Sequence, residues 1–269
     1  MSTHIKQIKK STSTITSPDG KEIAVREIII PTDDKLISEW AKHFRKQYIC
    51  DEELVELVDG TGLENGEFLE NIIFPDGKIK PGPSIRSGDF TEVLLSDYLE
   101  YVENFWVPRN RFPFKATRNE SVKGTDIVGI KFKVDGETSS DDILAIMESK
   151  ARLSTKNDET LQDAINHSGK DYLRIAHTLN AIKRRYIQTG DKVNGDKIKR
   201  FQNLEDHPFK EVYGAVAFCT TDSLDESDLF DVDESNHPKK DDLHLLVFHG
   251  SELMKFVHKL YRRAIDEAG

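Results

Sequence analysis

The sequence predicts an α/β fold, a mixed central sheet with helices on both faces, and three observations point to it. Apolar residues recur at helical spacing from Phe90 through Val93, Leu94, Tyr98, Tyr101, Val102 and Phe105. Two runs of buried-strand character follow, at 127–134 and 143–149. After a long helical stretch come two more such runs, at 214–219 and 243–248. Helices alternating with short apolar runs are the mark of a layered α/β domain.

Each element has a local reason. Residues 1–20 are rich in Ser, Thr and Lys and end in the turn former Ser17-Pro18-Asp19-Gly20. Residues 22–30 read as a strand, and Asp33-Asp34 introduces a helix carrying Ile37, Trp40, Ala41 and Phe44. Residues 51–80 are acidic and end in a second Pro-Asp-Gly-Lys turn at 75–78. We read 1–82 as an N-terminal α+β extension and 83–269 as the main domain. The main domain opens with a helix capped at Ser87 or Asp89, which stops before Pro108. The 127–134 strand leads through a turn at Asp135-Gly136 to the 143–149 strand, whose two faces are both apolar through Met147 and which is therefore central. Asp158 or Thr160 opens the long helical stretch through Leu161, Ala164, Ile165, Leu173, Ala176, Leu179 and Ile182, with a break at Ser168-Gly169. An acidic loop spans 222–242, and a helix capped by Ser251 closes the chain.

Composition excludes several classes. The 269 residues carry a net charge of −10, which excludes a uniformly basic nucleic-acid coat. Residues 150–200 hold 12 Lys/Arg against 6 Asp/Glu, a local +6 that leaves −16 for the rest. Cys50 and Cys219 match neither a disulfide framework nor a zinc spacing. There is no apolar stretch of membrane-spanning length and no signal-peptide h-region, so a reducing, cytoplasmic setting without membrane contact is expected. No Gly-rich phosphate loop is present. His244 and His249 flank an apolar run and read as structural.

Acidic-x-Lys occurs four times: Asp19-x-Lys21, Asp33-x-Lys35, Asp76-x-Lys78 and Glu148-x-Lys150. The first and third lie in turns and the second at a helix start, where such charges are ordinary. Only Glu148 and Lys150 end a buried strand, where charges are costly unless paired or metal-bound. Alternation points both the same way. Asp126, at the mouth of the preceding strand, comes level with Glu148 if the two strands pair as a hairpin. Asp126 and Glu148 then offer hard oxygens suited to Mg²⁺ (or Mn²⁺), with Lys150 as activator. Glu92 is the preferred additional ligand, in the first turns of its helix, with Asp89 left to cap.

Ser87-Gly88-Asp89-Phe90-Thr91-Glu92, Gly124-Thr125-Asp126-Ile127-Val128-Gly129 and Glu148-Ser149-Lys150-Ala151-Arg152-Leu153 resemble the nuclease subunits of the Hachiman anti-phage defence system, within the PD-(D/E)xK superfamily. The resemblance is carried by residues 85–180, and no Pro precedes Asp126 as the superfamily motif would have it. It implies a restriction-endonuclease-like fold and a bacterial cytoplasmic DNA nuclease working with a superfamily-2 helicase. It also implies Asp126, Glu148 and Lys150 as catalytic residues, supported by Glu92. A stand-alone restriction or repair nuclease, and an inactive DNA-binding or helicase-docking module, stay open beside it. Gln162 and Lys183-Arg184-Arg185 are secondary candidates for the site and for phosphate contact; a solvated helix face is the simpler reading of both.

Overall fold

The computed structural model describes residues 3–11, 15–134, 137–154, 159–224 and 229–269. The expected turn at Asp135-Gly136 and helix start at Asp158 lie outside them. Seven strands form one mixed sheet: β1 (Ile8–Lys10), β2 (Ile15–Thr16), β3 (Glu22–Ile28), β4 (Ile127–Lys131), β5 (Ile143–Arg152), β6 (Lys210–Thr220) and β7 (Leu243–Gly250). Their order is β1-β3-β7-β6-β5-β4, with β2 also beside β3. The inner strands β3, β7, β6 and β5 run parallel; β4 on one edge and β1 and β2 on the other are antiparallel.

Helices cover both faces, as the pattern requires. On one face lie α1 (Asp34–Arg45), α4 (Gly82–Tyr101) and α8 (Leu253–Asp266), which pack Trp40, Phe44, Phe90, Leu94, Phe256 and Tyr261 over Ala145, Met147 and Phe248. On the other lie α5 (Thr160–Ser168), α6 (Asp171–Gln188) and α7 (Lys192–Arg200), which pack Leu161, Ile165, Leu179 and Ile198 over Leu144, Ile146 and Ala215. Period-two alternation along β5 thus feeds both cores, and β5 is central. Gly214 on β6 has a packing reason, since a Cβ there would run into the Met147 side chain.

The N-terminal residues are woven into this body. β3 pairs in parallel with β7, placing Val25 opposite Val247, and Ile28, Trp40 and Phe44 sit in the same core as α8. Each such side chain is worth about 1.5–3 kcal/mol of burial. α1 starts as expected, with Asp33 accepting from the Lys35 amide at 3.0 Å. Two short helices, α2 (Asp51–Val58) and α3 (Asn65–Phe68), follow. His4 and His43 donate to the two oxygens of the buried Asp97 on α4, each at 2.9 Å, fastening the first turn of the chain to that helix.

Several boundaries differ from expectation. α4 begins at Gly82, with Pro83 in its first turn, rather than at Ser87. The extra turn is held by Arg86, which donates to the Pro75 carbonyl at 2.7 Å and lies over the Tyr261 ring. Glu92 is therefore mid-helix, and Asp89 is not a cap: it is buried, bonded by Tyr48 Oη at 2.6 Å and paired with Lys115. α8 is entered through Glu252 in the left-handed region (φ 55°), not through a Ser251 cap. The sequence pattern does not announce α7, which is capped by Asp191 after the Gly190 turn.

A truncated chain of residues 83–269 should lose its cooperative thermal transition, because it strips β3 from β7 and the aromatic cover from α8. A transition near that of the full chain would contradict the shared core.

Candidate metal centre

The site is built where the edge strand β4 begins and β5 runs on past it toward its carboxyl end. The β4–β5 register pairs Ile127 with Met147, so one step beyond the ladder sets Asp126 opposite Glu148. Ligand sites in α/β sheets gather at the carboxyl ends of parallel strands, and β5 runs parallel to β6 there. The approach to Asp126 is shaped by Gly124, whose φ of 107° suits glycine and whose backbone lies against Thr178. The Thr125 amide donates to Thr178 Oγ1 at 3.2 Å. Asp126 Oδ2 accepts from the Ser149 amide at 3.0 Å, so the backbone between Glu148 and Lys150 orients the aspartate.

Around this pair stand three more anchors. Glu148, 3 % exposed, is ion-paired with Lys150, and His167 Nδ1 lies 3.5 Å from it. Arg111 sits between acids, with Nε 2.8 Å from Glu92 Oε2 and Nη2 3.3 Å from Asp126 Oδ1. The same guanidinium donates to the Thr125 and Val122 carbonyls at 2.6 and 2.7 Å. The structure thus brings Glu92, Asp126, Glu148 and Lys150 into one constellation.

Two members are not marked by the sequence pattern. Asp171, fully buried at the start of α6, accepts from Thr125 Oγ1 at 3.3 Å. In sequence it looks like any first-turn helix acid; its place just after the Ser168-Gly169 break is the available signal. Arg111 lies in an irregular segment with no periodicity to mark its direction. Of the secondary candidates, Gln162 clasps the acidic loop instead, exchanging two hydrogen bonds with the backbone of Asp233 at 2.8 and 2.9 Å. Arg185 donates to the Asn110 carbonyl at 3.1 Å, and Lys183 to Gln202 at 2.8 Å. Asp76 caps the Lys78 and Ile79 amides, as its turn reading requires.

Crowded burial sets the electrostatics. Burial pushes Glu92 up to about 8, against the pull of Arg111 and with the help of Asp126. Burial and then Asp126 push Glu148 up to about 7, although Lys150 opposes them. Asp171 rises to about 6 for the same two reasons. Carboxyls so perturbed in one cleft are a signature of functional sites.

The donor set fits a hard divalent cation, being all carboxylate oxygen. Asp171 Oδ2 is buried without a hydrogen-bond partner, and Glu92 Oε2 touches Arg111 without hydrogen-bond geometry. Arg111 and Lys150 now pair with these carboxylates, and among the described residues the group with ligand atoms all within 4.8 Å is His4, His43 and Asp97. That cluster is the weaker metal candidate. Arg109 already lies 2.6 Å from Asp97, and each Asp97 oxygen has a hydrogen-bond donor. At the acidic site a divalent ion would assume counter-charge now supplied by Arg111 and Lys150.

The raised carboxyls link stability to pH. Between the ordinary glutamate value of 4.5 and about 7, folded Glu148 holds a proton that the unfolded chain has lost. Its contribution therefore falls as pH rises through that window. Glu148→Gln should raise the melting temperature relative to the native chain at pH 8, with the difference vanishing near pH 4.5. An equal difference at both pH values would contradict the burial account.

A search of curated proteins returns no match. The HamA family model matches residues 3–264, nearly the whole chain, and bears out the likeness to the Hachiman defence system seen in the motifs. The chain belongs to the HamA family.

Proposed function

We propose that this chain is a metal-dependent nuclease hydrolysing DNA phosphodiesters, the effector of a Hachiman-type bacterial defence complex that also contains a superfamily-2 helicase. The observation that carries this reading is the fixing of Asp126 by the Ser149 amide beside the Glu148–Lys150 pair, at the carboxyl end of β5. Together with the paired strands, it resembles the arrangement of the PD-(D/E)xK superfamily.

Asp126 and Glu148 would hold Mg²⁺ or Mn²⁺, with Glu92 completing the set from α4. When bound, such an ion polarises the scissile phosphate and lowers the pKa of a water near it. Freed from Glu148, the Lys150 ammonium would orient the attacking water or face the negative charge that gathers on phosphate. Asp126, held by a backbone amide, needs no reordering. Arg111 supplies the counter-charge to Glu92 and Asp126 that such an ion would replace. Asp171 acts behind Asp126, through Thr125, as a positioning residue. A pure docking module would have no reason to bury these acids, since breaking or straining such pairs costs stability.

The test is DNA cleavage by the purified chain, alone and with its helicase partner, in Mg²⁺ and in chelator. Glu148→Ala and Lys150→Ala should each lower cleavage by roughly 10²–10³-fold, the scale of losing one transition-state interaction. Cleavage surviving either change would sink the assignment. A second readout separates roles. Mg²⁺ should raise the melting temperature of the native chain and of Lys150→Ala, but not of Asp126→Asn, because a ligand bound only to the folded state stabilises it. A Mg²⁺-induced rise that persists in Asp126→Asn would remove Asp126 from the ligand set.

A further inference from the structure

Beside the acidic site runs a groove of about 850 Å³, walled by the turn before α4, the carboxyl end of β5 and one side of α8. Lys78 and Lys80 stand on one wall, Lys150 and Arg152 on another, and His258 on the third. Among the described residues none that lines it is acidic, in a chain whose net charge is −10. Lys150 lines the groove and pairs with Glu148, so the groove borders the site.

The cations differ in how they are engaged. Lys150 pairs with Glu148, and Arg152 has Asp163 at 3.5 Å. Lys78 and Lys80 are exposed, and neither has a carboxylate partner among the described residues. Fold stability gives no account of them there. The walls between the charges are small: Ser84, Ser87 and Gly88 on α4, and Ser149 and Ser154 on the strand side. A Cβ at Gly88 would meet nothing within 4 Å, so that wall is open to a close approach. Among the described residues the groove is lined by no Phe, Tyr or Trp, the side chains that make a stacking platform for bases.

We propose that this groove seats the sugar–phosphate backbone of a DNA strand and delivers it to the Glu148–Lys150 end of β5, with Lys78 and Lys80 as its outer phosphate contacts. The proposal rests on the nuclease reading for its substrate. Contacts of this kind position a strand without reading its sequence. Binding here is therefore sequence-independent and falls with salt.

The test measures binding apart from chemistry. Labelled single- and double-stranded oligonucleotides of two unrelated sequences are titrated, in chelator, into the full chain and into Lys78→Glu/Lys80→Glu. A charge-matched variant, Lys9→Glu/Lys10→Glu on β1 at the opposite edge of the sheet, serves as control. The groove variant should bind roughly tenfold or more weakly. Its salt slope should be shallower by about 0.7–0.9 for each phosphate it no longer neutralises. The β1 variant should bind as the native chain does, and the two DNA sequences should bind alike. Equal binding by the groove variant, or equal weakening in both variants, overturns the groove. So does failure of the native chain to bind. Lys78→Ala/Lys80→Ala with an unchanged melting temperature guards against misfolding and should show a smaller reduction in affinity. Metal-dependent cleavage that persists while the groove variant binds normally would leave the nuclease standing and the groove refuted; groove binding with no cleavage in any metal would do the reverse.

Discussion

Everything at the functional end of this molecule follows from burying several carboxylates within reach of one another. Glu92, Asp126, Glu148 and Asp171 come from a helix, two paired strands and a second helix, and each is largely hidden from water. Isolated, such charges would each cost several kcal/mol. The fold answers with Arg111 and Lys150, with the Ser149 amide, and with raised proton affinity at Glu92, Glu148 and Asp171. On the proposed reading, a divalent cation would relieve the same repulsion. Arg111 and Lys150, which now pair with these acids, would then yield to it.

The rest of the fold serves to hold that cluster still. β5 is locked between β4 and β6, and the β6 ladder runs on past the β4 pairing to fix Glu148 and Lys150. α4, which carries Glu92, is pinned through Asp97 to His4, His43 and Arg109. Arg111 is pinned by two carbonyls. The N-terminal strand and α1 reinforce the face of the sheet on which α4 rests. Residues near the start of the chain thus support an acid of the site from a distance.

Much of this is legible in the sequence because it depends on periodicity. The strand character of β4 and β5 and the shared direction of Glu148 and Lys150 follow from alternation. The level placement of Asp126 follows once the strands pair. The other acidic-x-Lys matches are ordinary for the same kind of reason, and Asp33 and Asp76 cap backbone amides as helix-start and turn residues should. What is not legible depends on tertiary contact. Arg111 acts from an irregular segment whose side-chain direction no pattern encodes. Asp171 is one helix-start acid among several until the fold sets Thr125 beside it. Asp89 and Ser87 look like caps, but Pro83 and Arg86 extend the helix past them, and that support comes from Pro75 and Tyr261. The N-terminal residues look like an extension because parallel pairing of β3 with β7 joins strands more than 200 residues apart.

The central claim is that raised carboxyls at the end of β5 are the ligands of a divalent ion. Calorimetric titration of Mg²⁺ at pH 6.5, in buffers of different ionisation enthalpy, counts the protons released on binding. Ligands must be deprotonated to bind, so Glu148 at about 7 and Glu92 at about 8 predict release of about one proton or more per ion. Release should shrink as pH rises above 8. Binding with no proton release at pH 6.5, or no binding at all, would contradict the account.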